Sequence, residues 1–145
     1  MKEQHFQNHA RLVPLYHYIA FSGLLVLIAA SVYKLYRNYQ MGIGGLMTPA
    51  LLLLGAILLG LVGYFARAFA LKAQDRAIRA EENLRYFAIT GKLLDSKLTI
   101  RQIIALRFAS NNEFADLVHR AVSENMSPKE IKKAIKHWKP DYDRV

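Results

Sequence analysis

Two long uncharged stretches constrain the fold more than any other feature of this sequence. No charged residue occurs from Tyr18 to Tyr33 or from Met41 to Ala66. A helix needs roughly 17 to 25 apolar residues to cross a hydrocarbon core about 30 Å thick. Two such segments in a chain of 145 residues exceed what the core of a small soluble domain can bury. We therefore expect an integral membrane protein.

The predicted fold class is an all-α membrane protein. We expect a two-helix transmembrane hairpin whose second span continues as a long cytoplasmic helix. A small three-helix cytoplasmic domain follows this helix. Proline is favoured in the first turn of a helix, so Pro14 and Pro49 mark the starts of the spans, with Thr48 as a cap. The predicted segments are an N-terminal interfacial segment 1–13, transmembrane helix 14–40, connecting loop 41–48, transmembrane helix 49–66, cytoplasmic helix extension 67–90 and basic helical domain 91–145.

Lys and Arg residues are unevenly distributed around the two spans. The connecting loop side carries Lys34 and Arg37. The side of the termini carries Lys2, Arg11, Arg67, Lys72, Arg76 and Arg79. Positive charge near span ends is retained in the cytoplasm. We expect both termini to be cytoplasmic, in a two-span protein of the inner membrane.

A stripe of mostly small residues follows the second span and its extension in steps of three or four. It comprises Ala56, Gly60, Gly63, Ala66, Ala70, Ala73, Ala77, Ala80, Leu84 and Phe87. Small residues allow the close backbone approach on which helix association in lipid depends. We interpret the stripe as a helix-packing seam, against the first span or against a second copy. The alternative is that alanine occurs there only as a good helix former.

Three short helices are predicted after Gly91, which fits a helix C-cap. Each begins with a capping box, in which a Ser or Thr is followed three residues later by Glu or Gln. The boxes are Thr99 with Gln102, Ser110 with Glu113, and Ser127 with Glu130, opening helices 100–109, 111–124 and 128–138. Their apolar faces are expected to form a small core together with Leu84 and Phe87 of the long helix.

Positive charge is concentrated in the cytoplasmic part. The formal charge is +9, and residues 67–145 hold sixteen Lys and Arg against ten Asp and Glu. The last predicted helix carries a basic face of Lys129, Lys132, Lys133 and Lys136. Such a face can bind anionic lipid, or it can be a solvated surface. Nucleic acid or a ribosome is a less favoured partner, because the face lacks stacking aromatic residues.

Arg107 is the most unusual charged residue. Its position falls within the apolar stripe formed by Ile100, Ile103 and Phe108. A buried arginine is normally paired with a carboxylate. We therefore expect a structural ion pair, with Glu81, Glu82 or Glu113 as candidates, and the alternative is contact with a partner.

No catalytic, cofactor or metal site is predicted. The chain has no cysteine, and it contains no phosphate-binding loop or nucleophile elbow. His5 and His9 have helical spacing and His17 lies near the interface, but no acidic or Cys residue completes a ligand set. We predict a protein that is not an enzyme and has no cofactor.

The sequence resembles a bacterial family of small two-span membrane proteins classed as a domain of unknown function. The resemblance is carried by residues 67–87, which include RAEENLRYF, by LTIRQIIALRFAS at 98–110 and by SPKEIKKAI at 127–135. It covers most of the chain. Some members are labelled permease. The resemblance implies a bacterial inner-membrane location, and it supplies no activity and no catalytic residues.

Three functional hypotheses follow. The first is a non-enzymatic interaction protein, either a homo-oligomer or an accessory subunit of a larger inner-membrane complex, with a cytoplasmic docking domain. The second is an electrostatic module that binds anionic lipid or a ribosome through the lysine face. The third, a pore or permease component, is disfavoured because neither span carries an ionisable residue at its centre.

Overall fold

The computed structural model describes residues 13–140. His5 and His9, the charges Lys2 and Arg11, and most of the segment 1–13 lie outside the described residues. The described part is helical, and its elements are a π-helical segment Leu15–Ala20 and the α-helices α1 Phe21–Gln40, α2 Met47–Thr90, α3 Ile100–Leu106, α4 Asn111–Ser123 and α5 Pro128–Ala134. The chain divides into two compact units, which we call the unit of residues 12–70 and the unit of residues 71–145.

The unit of residues 12–70 contains the apolar helices. The helical stretch Leu15–Gln40 and α2 are both long and apolar enough to cross a membrane. Between them, Gly42, Gly44 and Gly45 adopt φ values of +62°, +75° and +68°. Side chains disfavour this left-handed region, so glycine permits the turn that ends α1. Helix α2 begins at Met47, two residues before the expected Pro49.

The unit of residues 71–145 has a compact helical core. Its largest fully buried side chains are Phe108, Phe114, Leu106 and Ile131. The three capping boxes predicted from the sequence are all present. Gly91 ends α2 with φ +70° and donates its N–H to the carbonyl of Phe87. These local signals are confirmed because each depends on residues at most four positions apart.

The ends of two short helices differ from the prediction. Helix α3 stops at Leu106 rather than at 109, and α5 stops at Ala134 rather than at 138. The chain becomes extended at Ile135. Beyond it, backbone pairing between Ala109 and Trp138 replaces helical hydrogen bonds. The two predicted helices were therefore too long, because tertiary pairing of their ends competes with helix continuation.

The surface of α2 that enters this core also differs from the prediction. Ile78 is buried and Tyr86 packs against the core cluster. Leu84 and Phe87, which were expected in the core, are 69% and 49% exposed. That expectation is wrong: the helical domain packs on the side of α2 opposite the seam.

Candidate functional site

The first three seam positions lie where α1 and α2 approach closely within residues 12–70. Ala56 is 1% exposed. A Cβ added to Gly60 would lie 3.3 Å from Leu24 Cδ2, and the Tyr16 hydroxyl donates to the carbonyl of Gly63 at 3.0 Å. Small residues at these positions permit the approach. The seam interpretation therefore has a partner here within the chain, the first helix.

The later seam positions are not covered by the described parts of the two units. Ala66, Ala73, Ala77 and Ala80 are exposed, Ala70 is half-buried, and Leu84 and Phe87 extend the stripe on the surface. At about 100° per residue, the positions from 73 to 87 share one side of the helix. We call the stripe Ala73, Ala77, Ala80, Leu84 and Phe87 the α2 strip. It is an apolar face that the described residues leave exposed.

The opposite face of α2 carries a buried polar network that the sequence analysis did not predict. Arg85 Nη1 donates to Glu82 Oε2 at 3.0 Å, and these side chains are 12% and 7% exposed. Arg85 Nε donates to Asn111 Oδ1 at 2.8 Å and Nη2 to the Ala109 carbonyl at 2.6 Å. The guanidinium carbon lies 4.1 Å from the centroid of the Phe114 ring. Arg85 thus ties α2 to the start of α4.

Arg107 occupies a buried position at the end of α3. It is 8% exposed, and its guanidinium carbon lies 4.8 Å from the Phe108 ring centroid. Glu82 pairs with Arg85 and Glu113 accepts backbone N–H groups, and the expected ion pair of Arg107 stays a prediction. Because its side chain is buried, Arg107 is part of the packed helical core.

Glu113 joins the start of α4 to the segment that follows α5. Its carboxylate accepts the backbone N–H groups of Lys136 and His137, each at 3.0 Å, and of Ser110 at 3.4 Å. Burial alone would raise the pKa of Glu113, but these backbone donors outweigh burial and lower the pKa below its ordinary value. Hydrogen bonds to a carboxylate stabilise its charged form.

The four lysines of the predicted basic face do not share one helical surface. Lys129 and Lys133 are exposed on α5. Lys132 is half-buried, with its Nζ 5.5 Å from the Phe108 ring centroid. Lys136 follows the end of α5 in the extended segment. Two lysines therefore remain as an exposed pair on the helix.

Potential metal ligands are not clustered in the part of the chain that the structure describes. Among residues 13–140, no group of three or more His, Cys, Asp or Glu residues could hold a metal ion. The Nδ1 atom of His17 lies within hydrogen-bond distance of the backbone of Val13. The exposed apolar surfaces of the described residues include the α2 strip and the apolar helices.

The described residues define an all-helical protein with two long apolar helices and a capped helical unit. The chain belongs to DUF6526, a family of unknown function, whose family model matches residues 1–145. This confirms the resemblance to a domain of unknown function. No curated protein and no solved structure matches the chain.

Proposed function

We propose that the chain is a non-enzymatic interaction protein, anchored in the bacterial inner membrane by its helical hairpin, which self-associates through the α2 strip. The anchor is supported by how little of the apolar helices the protein itself covers. Of the most apolar window in each helix, only 6% and 11% is buried. Apolar surface of this extent is unfavourable in water and favourable in lipid.

Exposure of the α2 strip is the observation that carries the proposed self-association. Leu84 and Phe87 are large apolar residues on the surface of a unit that has its own closed core. Contiguous apolar surface of this kind marks interaction sites. The heptad spacing of the strip is that of a two-helix seam, in which a second helix covers the small residues.

Charge complementarity favours a second copy in parallel orientation. Arg76 and Glu81 flank the α2 strip on its two sides and are both exposed. In a parallel helix pair, a residue on one flank faces the residue five positions later on the other flank of the partner helix. Arg76 of each copy then faces Glu81 of the other. Two copies inserted in a membrane with the same topology are parallel by necessity.

The test is the oligomeric state of the full-length chain in mild detergent. Leu84→Glu and Phe87→Glu place charge in the strip, and we expect each to convert the oligomer to a monomer. Leu93→Glu is the matched control, because Leu93 is 65% exposed but lies outside the strip. Arg76→Glu should weaken association, and adding Glu81→Arg should restore it.

A monomeric native chain would overturn self-association. The same holds if Leu84→Glu and Leu93→Glu have equal effects, or if the charge exchange gives no rescue. Co-purification of a different protein in place of a second copy would assign the strip to an accessory-subunit role.

A further inference from the structure

A groove separates α1 from α2 on one side of the unit of residues 12–70. Its volume is about 580 Å³, which lies within the roughly 300–1,000 Å³ range of small-molecule sites. Its apolar lining comes from Ala20, Gly23, Leu24, Leu27, Leu59 and Gly60. A Cβ added to Gly23 would meet nothing within 4 Å, so the missing side chain at this position leaves space in the groove.

The polar side chains that line the groove are those of Tyr16, His17 and Tyr64. The Arg67 guanidinium carbon lies 5.6 Å from the Tyr16 ring centroid. The Tyr16 and His17 rings meet edge to face at 5.2 Å. His17 Nδ1 is held by Val13, whereas Nε2 makes no hydrogen bond to a described residue. His17 thus contributes a ring nitrogen to the lining of the groove, and Arg67 places a cation beside that lining, against the Tyr16 ring.

The wall that the first helix contributes to the groove is about as long as one leaflet of a bilayer. From Tyr16 to Leu27 its wall on the first helix covers eleven helical steps, or about 16 Å at the rise of an α-helix. This is close to half of the hydrocarbon thickness of about 30 Å. The cationic end lies where the spans reach the interface on the side of Arg67.

We propose that the groove binds one anionic glycerophospholipid, with its phosphate at Arg67 and His17 and an acyl chain along Gly23 and Gly60. This inference rests on the proposed membrane anchoring. Charge complementarity selects the occupant, because an anionic headgroup neutralises Arg67. A second copy related by two-fold symmetry would instead bring like charges together, since identical patches face each other in such a contact.

The experiment is native mass spectrometry of the full-length chain in mild detergent, titrated with phosphatidylglycerol or with phosphatidylcholine of the same acyl chains. We expect one phosphatidylglycerol per chain and weaker binding of phosphatidylcholine. Arg67→Gln should weaken phosphatidylglycerol binding about five-fold, the effect of about 1 kcal/mol per basic residue near a membrane surface. Arg37→Gln is its control, an exposed arginine at the other end of the spans.

Gly23→Leu tests the apolar part of the site. A Cβ at Gly23 meets nothing within 4 Å, so the new side chain fills the groove without separating the helices. Gly55→Leu is the matched control, because a Cβ there is equally unobstructed and Gly55 does not line the groove. We expect Gly23→Leu to reduce binding of both lipids and Gly55→Leu to leave it unchanged.

Three results would overturn the site. The first is equal binding of the two lipids, and the second is unchanged phosphatidylglycerol binding by Gly23→Leu. The third is displacement of the lipid by inorganic phosphate alone, which would indicate a site for free phosphate. Loss of a dimer in Gly23→Leu with lipid binding unchanged would assign the groove to a second copy. Failure of anchoring is separately visible, because the chain would then not fractionate with membranes.

Discussion

Arg85→Met tests whether the buried polar network joins α2 to the helical core. The substitution keeps much of the aliphatic volume but removes the cation beside Glu82, whose side chain is 7% exposed. Breaking a buried ion pair by removing one partner costs about 3–5 kcal/mol, because the remaining charge is desolvated and uncompensated. Arg85 is itself 12% exposed, so water partly compensates the loss. We expect the lower end, about 3 kcal/mol.

Trp138 provides the assay, since it is the single tryptophan of the chain and its ring lies 5.1 Å from that of Phe108 in the core. Urea unfolding of the full-length chain in mild detergent, followed by Trp138 fluorescence, reports the helical unit. With an m-value of about 1.5 kcal/mol/M, the midpoint should fall by about 2 M. Arg79→Met, at an exposed arginine of the same helix, should change it little.

The pair Glu82→Gln and Arg85→Met separates the cause of the loss. If the uncompensated Glu82 carboxylate dominates, the double variant is more stable than Arg85→Met alone. A loss below about 1 kcal/mol in Arg85→Met, the scale of a surface ion pair, would refute a structural role for the network.

Two further predictions follow from the packing. Glu113→Gln should lower the urea midpoint at neutral pH, because charge-assisted hydrogen bonds contribute about 1.5–3 kcal/mol. Folding lowers the pKa of Glu113, so the stability that the Glu113 carboxylate contributes is present above the ordinary carboxyl pKa and is lost as pH falls through the folded-state pKa. If the urea midpoints of the native chain and of Glu113→Gln changed in parallel over a pH series, this prediction would be contradicted. Gly60→Leu should destabilise the hairpin by about 1–3 kcal/mol through overpacking against Leu24. A thermal scan in detergent in which Gly55→Leu loses as much would refute the close contact.

Local features of the fold were predictable from the sequence, and features that depend on distant residues were not. The box of Ser127 and Glu130 and the cap at Gly91 involve hydrogen bonds between near neighbours, so spacing alone predicted them. The end of α5 was not predictable in this way. The amides of Lys136 and His137 leave the helix for the carboxylate of Glu113, more than twenty residues earlier.

Periodicity identified the faces of α2 without identifying what covers them. The seam pattern is continuous in sequence, yet Gly60 contacts the first helix while Leu84 is exposed. Arg85 was missed because its partners Asn111 and Ala109 are distant in sequence. The available signal was the helical spacing of Ile78, Glu82 and Arg85, a polar pair on the same side as an apolar residue.

Cysteine labelling in sealed membrane vesicles tests most directly whether lipid covers the apolar helices. The chain has no cysteine, so Val26→Cys, Leu58→Cys and Lys129→Cys each introduce one thiol. Val26 and Leu58 are 67% and 52% exposed on the protein surface, so the described residues leave both positions open to the bilayer. The reagent is a maleimide that crosses the membrane but reacts only with thiols in contact with water. We predict that it modifies Lys129→Cys rapidly and modifies the other two variants only after denaturation. Equal labelling of all three in intact vesicles would contradict membrane anchoring.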